Sequence, residues 1–452
     1  MRQEALVADL RVSGSTIRVM PSPVLMRGYL RDNFWVRYDE SVDLRRLDES
    51  LLLVPFVLNV APVVWISGRI FRVPSLDAEL AQALTEVREL FARWYPKIGW
   101  TGEIVADRLV ENPGMRCNEG RVALLFSGGV DSTAASLRHP DRRQLLVTVR
   151  GSDVRLADEE GWQRVQGLTQ SFAARFGHEA RFVESNFFAS FLNYDRLERQ
   201  TKSEPAITSW WWSVQYGLGL IGLTGPLLAT SGISQLLIAS DSLVAAGWKK
   251  GEGSHPELDS RIRWGGVRVD HVDAELTRQQ KLRLIKQKCI ELQVPPPVLR
   301  VCLGYNNRGG NCCKCEKCLR TAIGLMVEGE RPAAYGFPAP METMIQEARR
   351  AFLRYTMHFS ESAALLWQDI QLAARDHLSN EIGSCWEDAQ RRELVSWIAQ
   401  FDFERYWRCY RRVWGLKRRL ERLLRSCPPV YRWVRAIVRW LRWRPQVQPP
   451  VK

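Results

Sequence analysis

The residues best suited to chemistry stand between Leu124 and Thr133, LLFSGGVDST. The apolar run Val122 to Phe126 reads as a buried parallel strand, and Val130 to Leu137 as a helix that starts directly after the glycines. A strand, a turn of small residues and a helix N-terminus make an anion site. Unpaired first-turn amides and the positive end of the helix dipole face whatever rests on the turn, and glycines admit a bulky polyanion to the backbone. Ser127, Ser132 and Thr133 add hydroxyl donors, while Gly128, Gly129 and Val130 contribute main chain. Asp131 makes sense beside a bound phosphate chiefly when a divalent metal bridges the two. The same positions also suit a helix cap and turn with no ligand.

A second group lies at 302 to 320, CLGYNNRGGNCCKCEKCLR. Cys302, Cys312, Cys315 and Cys318 form C-x9-C-x2-C-x2-C, the spacing of a tetrahedral four-thiolate Zn2+ site. Four thiolates close the coordination sphere, so the metal's role is structural: it pins a loop to the helix starting near Glu316. An iron-sulfur cluster and unrelated free thiols are the alternatives. Cys313 is a fifth thiol beside the quartet that leaves the register open. Cys117, Cys289, Cys385, Cys409 and Cys427 are scattered and read as small buried residues.

Elements must hold these groups in place. Residues 1–118 show short apolar strands cut by Pro and Gly, then a helix from Leu76 to Tyr95, so a mostly β appendage is expected. Residues 119–330 alternate: strands at 122–126, 145–149, 181–185 and 235–240, helices at 130–138, 158–176, 209–223 and 277–293. That series implies an α/β domain with a doubly wound parallel sheet, and the glycine turn falls at a strand's carboxyl end, where such sheets bind ligands. Residues 331–452 read as helical.

At 452 residues the chain exceeds what one core usually serves. Its formal charge of +14 is concentrated at the end: residues 401–452 hold 15 Lys and Arg against three acids, a net of +12. There Trp407, Tyr410 and Trp414, and then Trp433, Ile437, Trp440 and Leu441, recur at helical spacing around Pro428-Pro429. Two amphipathic helices are expected. Nucleic acid, an acidic membrane surface, or this protein's own core or a protein partner are the candidate surfaces for their aromatic faces. Ser50 to Gly68 is uncharged but carries Pro55, Asn59 and Pro62 and reads as buried strands with a turn; Pro205 to Ser240 is broken at Gly225-Pro226. No transmembrane helix is expected from either. Without a secretory leader pattern, the expectation is a cytoplasmic protein.

SGGVDS, followed by the cysteine quartet and Leu319-Arg320, resembles the PP-loop ATP pyrophosphatases and, within them, the 7-cyano-7-deazaguanine synthase (QueC) family, over about 119 to 325. Asp241 to Arg263 is similar to the family's loop with a Pro-Asp near its end, here His255-Pro256-Glu257 with Asp259 following. LTRQQKLRLI (276–285) resembles its helix in which a Thr or Ser and a basic residue precede a Lys. The resemblance implies that ATP and Mg2+ bind with the pyrophosphate on Ser127, Gly128, Gly129, Val130, Asp131, Ser132 and Thr133, with Asp131 and Ser132 closest to catalysis. It implies adenylation of a small-molecule carboxylate, 7-carboxy-7-deazaguanine in the family, followed by attack of ammonia and, with a second ATP, dehydration to the nitrile. Family members are about half this length, and their Pro-x-Arg-Asn signature is replaced by SEPAITSWWW at 203–212. Long QueC-like proteins occur in anti-phage defence operons, where the acyl adenylate can pass to an amine on a protein; this chain's extra residues resemble those. A biosynthetic synthase using ammonia, and a catalytically degenerate nucleotide-binding module acting through the basic tail, are the rival expectations.

Further residues carry two readings each. Arg150-Gly151-Ser152-Asp153 lines the adenine or ribose or is a solvent turn; Lys249, Lys250 and Arg263 meet phosphates or a substrate carboxylate or belong to a mobile polar loop. His255 is a polar contact rather than a catalyst. Of Trp210, Trp211 and Trp212, at least one belongs in the core and another is free to stack on a flat substrate.

Overall fold

The computed structural model describes residues 4–112, 121–139, 143–188, 190–248, 251–302, 310–355, 357, 359–380 and 389–425. It is a mixed α/β fold with a parallel-strand sheet at its centre. Among the described residues the strands are β1 (Glu4–Ala5), β2 (Val7–Ser13), β3 (Thr16–Pro21), β4 (Phe34–Tyr38), β5 (Ile70–Asp77), β6 (Glu103–Val110), β7 (Arg121–Leu125), β8 (Arg143–Arg150), β9 (Glu179–Ser185), β10 (Gln235–Ala239), β11 (Arg263–Trp264) and β12 (Val267–Val272). One sheet has the order β11-β12-β10-β7-β8-β9-β4-β3-β2, and a smaller one is β1-β5-β6. The run β12-β10-β7-β8-β9 is parallel throughout.

Continuous apolar runs form the parallel strands because both faces are covered. Alternate residues go to different cores: Ala123, Leu145, Val147, Leu236 and Ile238 to one, Val122, Leu124, Leu146 and Leu237 to the other. Leu218, Ile221 and Val57, from the helices Tyr216–Leu223 and Val54–Ser67, line the first. Val130, Ile285 and Leu319, from Val130–Arg138, Arg278–Glu291 and Glu316–Val327, line the second. The strands and helices expected between 119 and 330 are present to within a few residues. The helix Arg278–Glu291 opens on a complete capping box, Thr277 with Gln280. The β11-β12 hairpin was not anticipated, although the alternation of Val267, Val269 and His271 with Arg268 and Asp270 is a half-buried strand pattern.

The first 118 residues differ from expectation. Ser50 to Gly68 is not a pair of strands but helical, Glu49–Leu52 and then Val54–Ser67, buried from Val54 to Ile66. An uninterrupted apolar run has no period to separate strand from helix, and a helix apolar on every side belongs inside a protein. Pro55 falls in the first turn, where a missing N–H costs nothing, and Gly68, at φ 66°, ends the helix. Among its described residues this segment holds four α-helices besides its strands: Pro23–Tyr29, Glu49–Leu52, Val54–Ser67 and Ala78–Trp94, of which only the last was expected. Its β2, β3 and β4 extend the large sheet, because β4 pairs antiparallel with β9 through Val36 to Tyr38. One core accordingly runs from Leu6 and Phe34 to Leu236 and Val269.

The helix expected at 209–223 begins as a π-turn, Trp211–Gln215, before Tyr216–Leu223. Trp210 and Trp211 are buried, whereas Trp212 is 49% exposed. After residue 331 come the helices Met341–Leu353, Glu361–Asn380, Ala389–Gln400 and Phe403–Arg425. Phe403, Tyr406 and Tyr410 of the last are buried in the second core, with Trp407 and Trp414 packed at its edge. This helix therefore spends its aromatic face on the chain's own interior, and Arg405, Arg408, Arg411 and Arg412 stay exposed. The second basic helix, around Trp433 to Leu441, lies outside the described residues. No helix among the described residues is long and apolar enough to cross a membrane.

Candidate functional site

The strand β7 delivers Phe126 to a turn in which Gly128 takes φ 71°, a left-handed conformation that glycine adopts without strain. Gly129 is the N-cap of the helix Val130–Arg138 and offers no side chain to the first-turn amides. Ser127 and Ser132 brace the turn: the Ser127 amide donates to Ser132 Oγ at 3.3 Å, and the Gly129 amide to Ser127 Oγ at 3.3 Å. Arg300 clasps it from outside, its amide donating to the Gly128 carbonyl at 2.7 Å and its Nε to the Ser127 carbonyl at 3.0 Å. Thr133 Oγ1 is buried with no hydrogen-bond partner among the described residues. Val130 is wholly buried in the second core and contributes main chain only.

Asp131 organises the cations around this turn. Arg278 Nη1 lies 2.6 Å from its Oδ2, Lys281 Nζ 3.4 Å from its Oδ1, and Ser242 Oγ donates to Oδ1 at 3.1 Å. Burial raises the Asp131 carboxyl, but Arg278, Lys281, Lys317 and the Ser242 hydroxyl outweigh it and hold it down at about 2. Lys281 is itself fully buried and donates to the Ser240 carbonyl at 2.6 Å, which fixes β10 against the helix. Burial pushes the half-buried Lys317 ammonium down; Asp153 opposes this, while Arg278 and Arg320 add to it. Arg320 is bound to Glu316, Nε to Oε1 at 2.6 Å. Arg278, Lys281, Lys317 and Arg300 thus converge on one helix N-terminus with Asp131 as the carboxylate between them. An excess of partly desolvated positive charge at open amides is what a polyphosphate neutralises.

On the far side of the turn stand more acids. Desolvation in the cleft and the charge of Asp131 raise Asp241, and burial with the nearby Asp241 pushes Glu252 up to about 8. Arg150 is turned away, bound to Glu184 at 3.1 Å and Glu159 at 2.8 Å, so of that turn only Asp153 faces the cations, 4.0 Å from Arg300. Arg263 opens strand β11 and is bound to Glu86 at 2.7 Å, so it belongs neither to a mobile loop nor to the phosphate side of the turn. His255 caps the short helix Pro256–Asp259 and meets Trp94 edge-on. Lys249 and Lys250 lie outside the described residues. Trp212, exposed and 5.4 Å from the Tyr216 ring, is the tryptophan free to stack.

Compared with protein-family models and with characterised proteins, the sequence matches none.

The four cysteines come together. The sulfurs of Cys302, Cys312, Cys315 and Cys318 all lie within 4.8 Å of one another, with Cys302–Cys315 and Cys312–Cys318 both at 3.8 Å. A tetrahedral zinc with bonds of about 2.3 Å sets its sulfurs about 3.8 Å apart, so the quartet fits that ion. The Cys315 amide donates to Cys312 Sγ at 3.2 Å, as expected for a thiolate held at a helix N-terminus. Cys313 is buried at φ 55° with its sulfur toward the Asn311 carbonyl, outside the quartet. The fifth thiol is thereby separated from the ligands. Cys117, Cys385 and Cys427 lie outside the described residues.

Three contributors escaped the sequence reading as individual residues: Arg300, Ser242 and Lys317. Arg278 and Lys281 were signalled only through the resemblance of LTRQQKLRLI to a helix in which a Thr or Ser and a basic residue precede a Lys. Lys317 had a local signal, a lysine directly before the last ligand cysteine.

Proposed function

We propose that this protein is an ATP-dependent, AMP-forming ligase of QueC type, with a doubly wound PP-loop fold between residues 119 and 330. ATP lies across the glycine turn with its pyrophosphate on the amides of Gly128 to Asp131 and the hydroxyls of Ser127, Ser132 and Thr133. A carboxylate, 7-carboxy-7-deazaguanine or a relative, attacks the α-phosphorus, and the acyl adenylate passes to an amine. The observation that carries the reading is the convergence of Arg278, Lys281 and Lys317 on the N-terminus of a glycine-capped helix. Charge that develops on departing pyrophosphate meets preorganised cations and amides there, which is how phosphoryl chemistry is chiefly stabilised.

Asp131 keeps Arg278 and Lys281 aimed at the turn. Mg2+ bound with the nucleotide would supply charge neutralisation; Asp131, expected from the sequence to meet it, has its two oxygens on Arg278 and Lys281, which leaves Asp241, with no cation hydrogen-bonded to it among the described residues, as the carboxylate suited to hold it. Zn2+ in the cysteine quartet fastens the loop before Glu316–Val327 and so places Lys317 and Arg320. The acceptor is an amine on a protein in an anti-phage system, with ammonia as the alternative, and the setting is the cytoplasm. The exposed Arg405, Arg408, Arg411 and Arg412 offer an acidic partner its contact.

One observation favours a second reading, a nucleotide-binding module without turnover: both oxygens of Asp131 are engaged by cations, which suits binding as well as catalysis. The full chain incubated with ATP, Mg2+ and 7-carboxy-7-deazaguanine, with ammonia or whole-cell lysate offered separately, separates the two by mass spectrometry. AMP with a mass shift on a lysate protein supports the ligase, and AMP with free amide or nitrile returns it to deazapurine synthesis. ATP binding with no AMP under either condition makes it a module.

A further inference from the structure

The ligase reading leaves one chemical need unmet. At neutral pH an acceptor amine arrives as ammonium and cannot attack until a base removes a proton. Among the described residues, His271 offers a ring nitrogen whose lone pair is unused. His271 Nδ1 lies 2.7 Å from Asp259 Oδ2, and that oxygen also accepts the Ser254 hydroxyl at 2.7 Å. Both side chains are enclosed, His271 at 4% exposure and Asp259 at 0%. A carboxylate at Nδ1 holds the hydrogen there and leaves Nε2 as the acceptor. Nε2 is buried and has no partner among the described residues. Most buried side-chain nitrogens are hydrogen-bonded, so an orphaned one calls for an explanation.

Its place in the sheet is right for the task. His271 is the penultimate residue of β12, beside Ile238 of β10, at the carboxyl end of the parallel strands. The next residue, Val272, accepts the Ser240 amide at 2.9 Å, and the Ser240 carbonyl holds the Lys281 ammonium that faces Asp131. Tyr216 bridges the two regions, since burial and the charges of Asp153, Asp241, Asp131 and Asp259 together push its hydroxyl up. Gly217 presses on the pair: a Cβ there would come within 2.7 Å of Asp259 Oδ1.

We propose that His271 is the general base for the attacking amine and Asp259 the residue that positions it, an inference that rests on the ligase reading above. Nε2 takes one proton from the ammonium, and the imidazolium so formed is balanced by Asp259. The amine nitrogen then bonds to the acyl carbon, the carbon–oxygen bond to AMP breaks with its electron pair on the phosphate oxygen, and the second N–H proton leaves to solvent.

The test uses the full chain with ATP, Mg2+ and 7-carboxy-7-deazaguanine. His271→Asn keeps a donor toward Asp259 but removes the base. Carboxylate-dependent ATP–pyrophosphate exchange should stay within about twofold of wild type, while amide formation from ammonium falls by about 100-fold or more. Hydroxylamine, largely unprotonated at neutral pH, should restore most of that loss, and Asp259→Asn should show the same split through the wrong tautomer. Equal losses with ammonium and hydroxylamine, or exchange falling in step with transfer, would overturn the assignment and leave the ligase standing. Absence of exchange in the wild-type chain removes the ligase reading and this inference with it.

Discussion

Arg278 reaches across 147 residues of sequence to place its guanidinium 2.6 Å from the Asp131 carboxylate at the start of another helix. The pair joins the helices Arg278–Glu291 and Val130–Arg138, and it sets the charge beside the glycine turn at the same time. Separating the two roles is a matter of asking which survives when the carboxylate loses its charge.

Asp131→Asn removes the carboxylate that both Arg278 and Lys281 contact. An ion-pair partner left uncompensated in a mostly buried place costs about 3 kcal/mol, measurable as a lower urea midpoint. The pH dependence has a definite sign. The folded carboxyl is held at about 2 against an ordinary 3.8, so its contribution is complete above pH 4 and is lost as pH falls toward 2. The stability gap between wild type and Asp131→Asn should therefore shrink between pH 4 and 2. ATP affinity should be kept or tightened by the variant, because a repelling charge is gone, while pyrophosphate release is lost; calorimetry and a pyrophosphate assay read the two separately.

The glycines of the turn should part company. At φ 71°, Gly128→Ala forces a left-handed conformation on a residue with a Cβ and costs about 1–2 kcal/mol. Gly129 has an ordinary φ of −80°, and a Cβ there lies 3.3 Å from Ser127 Oγ and 3.5 Å from the Arg300 carbonyl. Gly129→Ala should leave thermal stability nearly unchanged yet weaken ATP binding by about tenfold, since the methyl group occupies the approach to the amides. Equal ATP affinity in Gly129→Ala and wild type would place the nucleotide elsewhere.

How much of this was legible in the sequence depends on distance along the chain. Strand β7, the glycines and the helix after them are consecutive, so the strand, the turn and the helix were readable from ten residues. The capped helix at 278 was equally plain, but which of its residues reach Asp131 depends on how two helices pack. The Val54–Ser67 helix was misread because Val, Ile and Pro suit strands and breaks, and only burial on every side makes a helix of them. The histidine of β12 was invisible for a similar reason: its meaning comes from Asp259, which a loop and a hairpin bring alongside.

The cysteine quartet predicts a metal stoichiometry and a clean exception. One zinc per chain should be found by elemental analysis, and Cys318→Ser should abolish it while Cys313→Ser leaves it bound, because the Cys313 sulfur faces the Asn311 carbonyl. Zinc held at a hundred times its dissociation constant adds about 2.7 kcal/mol to the folded state, so chelation should lower the melting temperature. Since Lys317 and Cys318 are adjacent on the helix Glu316–Val327, the apo chain should also bind ATP more weakly.

Glu252 offers a titration at the edge of the cleft. Burial and the Asp241 charge push its carboxyl up to about 8, so at pH 7 it is largely neutral and adds nothing to the repulsion an anionic substrate meets. Raising the pH through 8 ionises it beside Asp241. A carboxylate or nucleotide substrate should then bind more weakly between pH 7 and 9, and Glu252→Gln should flatten that part of the profile. The stability effect runs the same way. A carboxyl raised from its ordinary 4.5 opposes folding more and more from pH 4.5 up to 8, and fully beyond it. Glu252→Gln should accordingly be more stable than wild type at pH 9 and nearly equal to it at pH 4. A chain whose substrate affinity and stability track wild type across that range in the Gln variant would place Glu252 in open solvent, away from the cleft.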